Sequence, residues 1–189
     1  MPLVATRASV AYGAGFGKVL AAAGGDTGAV FPITAFIVPS ATTTISISSI
    51  PQTYTHLLLT TRERRSDSVF ASTHLLVNGS TNTAHYDSIQ MYGSNSTVSG
   101  GITTAGSLAL LSTIGNLAAT WAIIYDYTST SKNKTFTSNT GSVASSDGYS
   151  IIRSGTYFGT TNAVTSLSFT IQAGANYAAG CSVSLWGIK

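Results

Sequence analysis

Chemistry in this chain would have to start from very few groups, because 189 residues hold only three His and six Asp or Glu. His56 and His74 fall within strand-like runs. His85-Tyr86-Asp87 is the one place where a His and an acid stand two apart, a spacing that puts both on one face of an extended strand. Such a pair could begin a metal site or a His-Asp couple, but no third ligand is evident, so a pair meeting on an exposed face is expected. A glycosidase would need two carboxylates in one cleft, drawn from Asp26, Glu63, Asp67, Asp87, Asp126 and Asp147. No two of these share a cleft-forming context. Asp126 follows an apolar run and reads as a hydrogen-bonding residue at a strand end. No Gly-x-Ser-x-Gly elbow occurs.

Gly13-Ala-Gly-Phe-Gly-Lys18 resembles a phosphate loop only in part. Tyr12 stands where the Walker pattern needs its first glycine, and Val19 stands where it needs Ser or Thr. The dinucleotide pattern fails because Lys18 takes the place of the third glycine. Cys181 is the only cysteine, which excludes a disulfide within the chain, and its surroundings read as a small buried strand position. The expectation is a protein with no cofactor, no metal and no enzymatic activity.

Charge points the same way. Only 8% of the residues are charged, against roughly 25% in an ordinary soluble domain. The net charge of +3 is scattered, and only Arg62, Arg64 and Arg65 cluster, with Glu63 and Asp67 among them. No basic stripe is present, so nucleic-acid binding is not expected. The Arg62–Arg65 run reads as a solvated hairpin loop, or as a docking point for an acidic partner. Two uncharged stretches, Gly28–Thr61 and Ser107–Tyr125, are broken by Gly or Pro and by many Ser and Thr, so membrane insertion is not expected. Met1–Gly25 has a faint leader-peptide look, but Gly13, Gly15 and Gly17 interrupt its apolar part, and it is expected to stay in the protein. Asn78, Asn95 and Asn133 begin glycosylation-like triplets, which a Ser/Thr-rich chain produces by chance.

The elements that would position these residues are strands. Thr44–Ser48 alternates at period two, and Ser49-Ile-Pro51-Gln ends it in a bend. Tyr54–Thr61, Val69–Val77 and His85–Tyr92 follow, with Asn78-Gly79 as a hairpin signal. Leu108–Ile114 reads as strand or short helix, and Thr120–Tyr127 as a core strand. Lys132–Thr137 reads as an exposed edge strand and Gly141–Gly148 as a loop. Segments about Ser150–Arg153 and Tyr157-Phe158, then Val164–Ile171 and Ser182–Ile188, complete eight to ten short strands. The expected fold is all-β, an antiparallel β-sandwich of jelly-roll type. Leu57, Leu59, Trp121, Ile123, Leu167 and Phe169 are the expected core. Residues 33–189 form this one domain, and residues 1–32 a Gly-rich arm with too little to bury alone.

Three strings together resemble small virion structural proteins of tailed bacteriophages. They are Ser49-Ile-Pro-Gln-Thr-Tyr-Thr-His-Leu-Leu-Leu59 before the Arg-rich turn, Tyr125-Asp-Tyr127 with Lys132-Asn-Lys-Thr135, and the terminal Ser184-Leu-Trp-Gly-Ile-Lys189. Such proteins more commonly read Leu-Tyr-Gly-Ile at that terminus. The resemblance implies a jelly-roll-like trimer, located in the virion, in the tail, fibre or baseplate apparatus or as capsid decoration. A lectin-like module binding a host-surface glycan is the alternative, with Tyr86–Tyr92 and Tyr157-Phe158 as its aromatic platform.

The same residues imply self-association with other copies and with further virion proteins. A chain so poor in charge has little to keep copies apart. The arm is expected to pack on a different subunit, with Tyr12 and Phe16 as anchors, and Trp186 and Ile188 are the matching candidates at the other terminus.

Overall fold

Period-two alternation sets most of the strands, because each then buries one face. The computed structural model describes residues 29–66, 71–94, 97–103, 110–112, 118–144, 147–171 and 176–189. These hold twelve strands: β1 (Val30–Ile37), β2 (Thr44–Ile47), β3 (His56–Glu63), β4 (Ala71–Val77), β5 (Tyr86–Ser94), β6 (Thr97–Thr103), β7 (Leu110–Ser112), β8 (Ala118–Tyr125), β9 (Lys134–Ala144), β10 (Asp147–Tyr157), β11 (Leu167–Ile171) and β12 (Ser182–Ile188). The single helical element among the described residues is a 3-10 turn, Thr83–His85.

All pairings are antiparallel and form two sheets, ordered β1-β12-β3-β8-β9-β10-β5-β6 and β2-β11-β4-β7. Set aside β5, β6, β9 and β10, and the remaining eight strands pair as nested partners: β1 with β12, β2 with β11, β3 with β8 and β4 with β7. That is one long antiparallel ribbon folded over on itself, the jelly-roll topology expected from the sequence. The other four strands arrive as two inserts. The β5-β6 insert follows β4, the β9-β10 insert follows β8, and they join through β10·β5 to lengthen the first sheet.

The core lies between the sheets. Leu57, Leu59, Leu167 and Phe169 are fully buried in it, as expected. Trp121 and Ile123 are not part of it. On β8 the inward positions are Ala118, Thr120, Ala122 and Ile124, so Trp121 points outward and is 43% exposed. The largest side chain lost to the smallest because the register of β8 against β3 and β9 is fixed along its whole length.

Other boundaries move for similar reasons. The expected edge strand at Lys132–Thr137 is β9, held between β8 and β10, and Lys134 is buried. Its ammonium donates to the carbonyls of Ser129, Lys132 and Thr161 at 2.6, 2.7 and 2.9 Å, which supplies the partners a buried cation needs. The expected loop at Gly141–Gly148 is mostly strand, since β9 and β10 stay paired out to Ala144 and Asp147. Asn78 and Gly79 have positive φ, 50° and 71°, as the turn signal requires. They do not close a hairpin, however, because β4 and β5 belong to different sheets. Asn78 ties the β10–β11 connection instead: Nδ2 donates to the Ala163 carbonyl, and Oδ1 accepts from the amides of Thr165 and Ser166. The first strand begins at Val30, so Val30–Pro32 belong to the sheet rather than to an arm. Residues 1–28, with Tyr12 and Phe16, lie outside the described residues.

Candidate functional site

The histidines form no catalytic or metal constellation among the described residues, where no group of three or more metal-ligating side chains occurs. His85 ends the 3-10 turn rather than starting a strand. Its Nδ1 lies 3.2 Å from Ser80 Oγ and its Nε2 3.1 Å from Asn82 Nδ2, while Asp87 stands on β5 and faces elsewhere. The expected sharing of a strand face by His85 and Asp87 is therefore corrected. His74 sits on β4 opposite Thr170. His56 does meet an acid that the sequence did not suggest, with Nδ1 3.8 Å from Asp126 Oδ1. That Nδ1 accepts the Asp126 amide at 3.0 Å, so it carries no proton to share with the carboxylate. A triad needs the opposite arrangement, an acid accepting from Nδ1–H. Asp126 thus works as a hydrogen-bonding residue just past the end of β8, joined by Lys132 at 3.4 Å.

The Arg-rich run is not an exposed loop. Arg62 and Glu63 belong to β3, and Arg65 pairs with Tyr177 through a backbone bridge. Arg62 and Arg64 are exposed, whereas Arg65 is buried and cannot dock a partner. Glu63 is buried against the second sheet, where Thr73 Oγ1 donates to its carboxylate at 2.9 Å and Tyr177 donates to Thr73 at 3.4 Å. Burial pushes its carboxyl up to about 7, against the pull of that hydroxyl. Cys181 is buried as expected, its thiol raised by desolvation and bonded to the backbone of Arg64. Of the expected aromatic platform, Tyr86 and Tyr157 are buried against each other with ring centroids 4.8 Å apart, whereas Tyr92 and Phe158 are exposed.

The feature that stands out is the outer face of the long sheet. The register places Pro32, Trp186, Leu58, Ile123, Thr137, Ser154, Ile89 and Ile102 side by side across all eight strands. The adjacent row reads Ala35, Ser184, Thr60, Trp121, Asn139, Ile152, Met91 and Gly100. Neither row carries a charge. Arg62 lies towards one end of the face, and His56 and Asp87 towards the other. Ten large apolar side chains are well exposed among the described residues, and eight of them lie on this face, led by Ile102 at 77% and Val98 at 74%. Isolated exposed apolar residues need no explanation, but Ile152, Ile89, Met91, Ile102 and Val98 are grouped on β10, β5 and β6, the kind of patch found at interaction sites and ligand grooves. Trp186 and Ile188 are on it, half-buried by their own neighbours.

The four-stranded extension makes part of this face concave. A trough of about 640 Å³ runs over β8, β9, β10, β5 and β6, between Tyr125 at one side and Ile102 at the other. Thr135, Thr137, Ser154 and Thr156 line its floor, with Ile89 and Asp87 beside them. Only pairing can reveal this surface, because its residues come from five strands scattered between positions 87 and 156. Compared with known proteins, the chain matches no family model, no curated protein and no solved structure.

Proposed function

We propose that this chain is a non-enzymatic structural component of a multi-copy assembly, a part of a tailed-bacteriophage virion that associates with other copies of itself, as a trimer. The outer face of the eight-stranded sheet, whose two central rows hold no charge, carries the reading. Seven inter-strand spacings of about 4.8 Å and strands about 24 Å long give that face on the order of 800 Å², the area one partner brings to a stable interface. Its core would be Trp121, Ile152, Met91, Ile89 and Ile102, and its charged residues stand towards the ends, the pattern of an apolar centre and a polar rim. The virion assignment rests on the three sequence strings, and the tail, fibre or baseplate position is preferred over capsid decoration on the same ground.

Light scattering on the purified chain tests the association. A stable oligomer is expected, and Met91→Lys with Ile102→Lys, both exposed on the surface of the monomer, should release folded monomers. A wild-type chain that is monomeric at tens of micromolar refutes the reading. Electron microscopy of an intact particle then tests the location.

A further inference from the structure

We infer that the trough over β8–β6 receives the N-terminal arm of a neighbouring copy, with Tyr12 and Phe16 seated between Tyr125 and Ile102. The inference rests on the multi-copy reading and adds to it the place where the arm docks.

Two twisted sheet faces brought together cannot fill a concavity of about 640 Å³, and an unfilled void forfeits the contacts of everything that lines it. The filler must be slender along its backbone and bulky at intervals. Tyr12-Gly-Ala-Gly-Phe-Gly17 has that form. In an extended chain Tyr12, Ala14 and Phe16 share one face, and Gly13, Gly15 and Gly17 share the other. Two aromatic rings about 13 Å apart thus point one way from a ribbon with no side chains on its back, thin enough to lie between two subunits. The trough spans four strand spacings from β8 to β6, roughly 19 Å, which accommodates that pair. Its lining suits them: apolar flanks at Ile89 and Ile102, a ring at Tyr125, and hydroxyls of Thr135 and Thr156 within the floor for a phenol to meet.

The topology favours a neighbour's arm over the chain's own. The arm enters the fold at Val30 on β1, one edge of the long sheet, and β6 is the opposite edge. To reach its own trough it would turn back across β12, β3 and β8. In a closed ring the β1 side of one subunit adjoins the β6 side of the next, so the arm passes straight onto the trough. Ile89 and Ile102 give the trough apolar flanks beside the Tyr125 ring, while hydroxyls of Thr135, Thr137, Ser154 and Thr156 line its floor and Asp87 is its single carboxylate, a lining that suits an uncharged peptide carrying both an apolar ring and a phenol.

Co-expression of full-length Phe16→Cys with full-length Thr137→Cys, under distinct tags, tests the placement. Mild oxidation should give a disulfide-linked heterodimer carrying both tags in high yield, and neither variant alone should cross-link to more than a few per cent. Circular dichroism verifies that both variants fold. If light scattering shows an oligomer and no disulfide joins the two introduced thiols between chains, the arm docks elsewhere and the inference fails while the multi-copy reading stands. If a chain carrying both substitutions bonds only within itself, the arm folds back on its own sheet and the inference fails. A monomer overturns both readings. A chain lacking residues 2–25 that still assembles and binds glycans on an array through Tyr125 would make the trough a sugar site instead, and would also refute the inference.

Discussion

Raising the pH should weaken this protein through one side chain, Glu63. The carboxyl is 1% exposed, and its folded-state value is about 7 against 4.5 for the ordinary group. Between those two values the unfolded chain has lost the proton and the folded chain still holds it. The folded state therefore binds more protons, and its stability falls as pH rises through that window. The gap of about 2.5 units, at roughly 1.4 kcal/mol each, sets the loss at about 3–4 kcal/mol, complete once pH passes 7. Tyr177 and Cys181 feel the Glu63 charge, but burial raises their own ionisation, so both stay neutral across the window. The assay is urea unfolding of the wild type and Glu63→Gln at intervals from pH 4.5 to 8. Other titrating groups cancel in the difference between the two proteins. Near pH 4.5 the two should be nearly equally stable, and by pH 8 the variant should lead by about 3–4 kcal/mol. A difference that is flat with pH, or that favours the wild type as pH rises, would refute the placement of a protonated carboxyl in this core.

Four further substitutions probe the fold. Ile124→Ala should cost about 2–5 kcal/mol in thermal unfolding, and Trp121→Ala in the isolated monomer under about 1 kcal/mol, because the first points into the core and the second away from it. Lys134→Met should lose about 2–3 kcal/mol by leaving three inward carbonyls without their donor, measured by denaturant titration. At Gly155 a Cβ would collide with the Asp87 carbonyl oxygen and stand 2.6 Å from the Phe136 ring, so Gly155→Ala should push β10 away from β5 and cost on the order of 1–3 kcal/mol by the same measurement.

Much of the fold was legible because alternation and turn chemistry are local. The fold class, β2, β3, β11 and β12, the bend at Ser49 and the core residues Leu57, Leu59, Leu167 and Phe169 all follow from period two and from positive-φ turn positions. What failed was parity and partnership. On β8 apolar residues occupy both faces, so alternation could not say which face is inward, and the bulky Trp121 made the wrong one attractive. β9 looked like an edge because it is Lys- and Thr-rich, yet those polar groups find partners inside: Thr140 shares a 2.8 Å hydrogen bond with Thr120. β6 went unseen because Thr97–Thr103 carries two glycines and only two large apolar residues, both of which point outward. The outer face and its trough were invisible for the same reason, since rows across a sheet exist only once the register is known.

The three strings singled out in the sequence acquire a physical meaning in the fold, because they meet. The first turns from β2 into β3, the second turns from β8 into β9, and the third ends β12. Tyr127 of the second donates its hydroxyl to the Pro51 carbonyl of the first, and its ring is fully buried. Tyr54 of the first lies over Gly187 of the third, where a Cβ would run into the ring, so only glycine fits under it. His56 of the first accepts the Asp126 amide of the second, and Lys132 of the second reaches the same Asp126. These contacts lock together the neighbouring strands β12, β3, β8 and β9 at one end of the sheet. Spacing within the first string is constrained because it must present Pro51 and His56 to the second and Tyr54 to the third. Contacts of this kind close one end of the jelly roll.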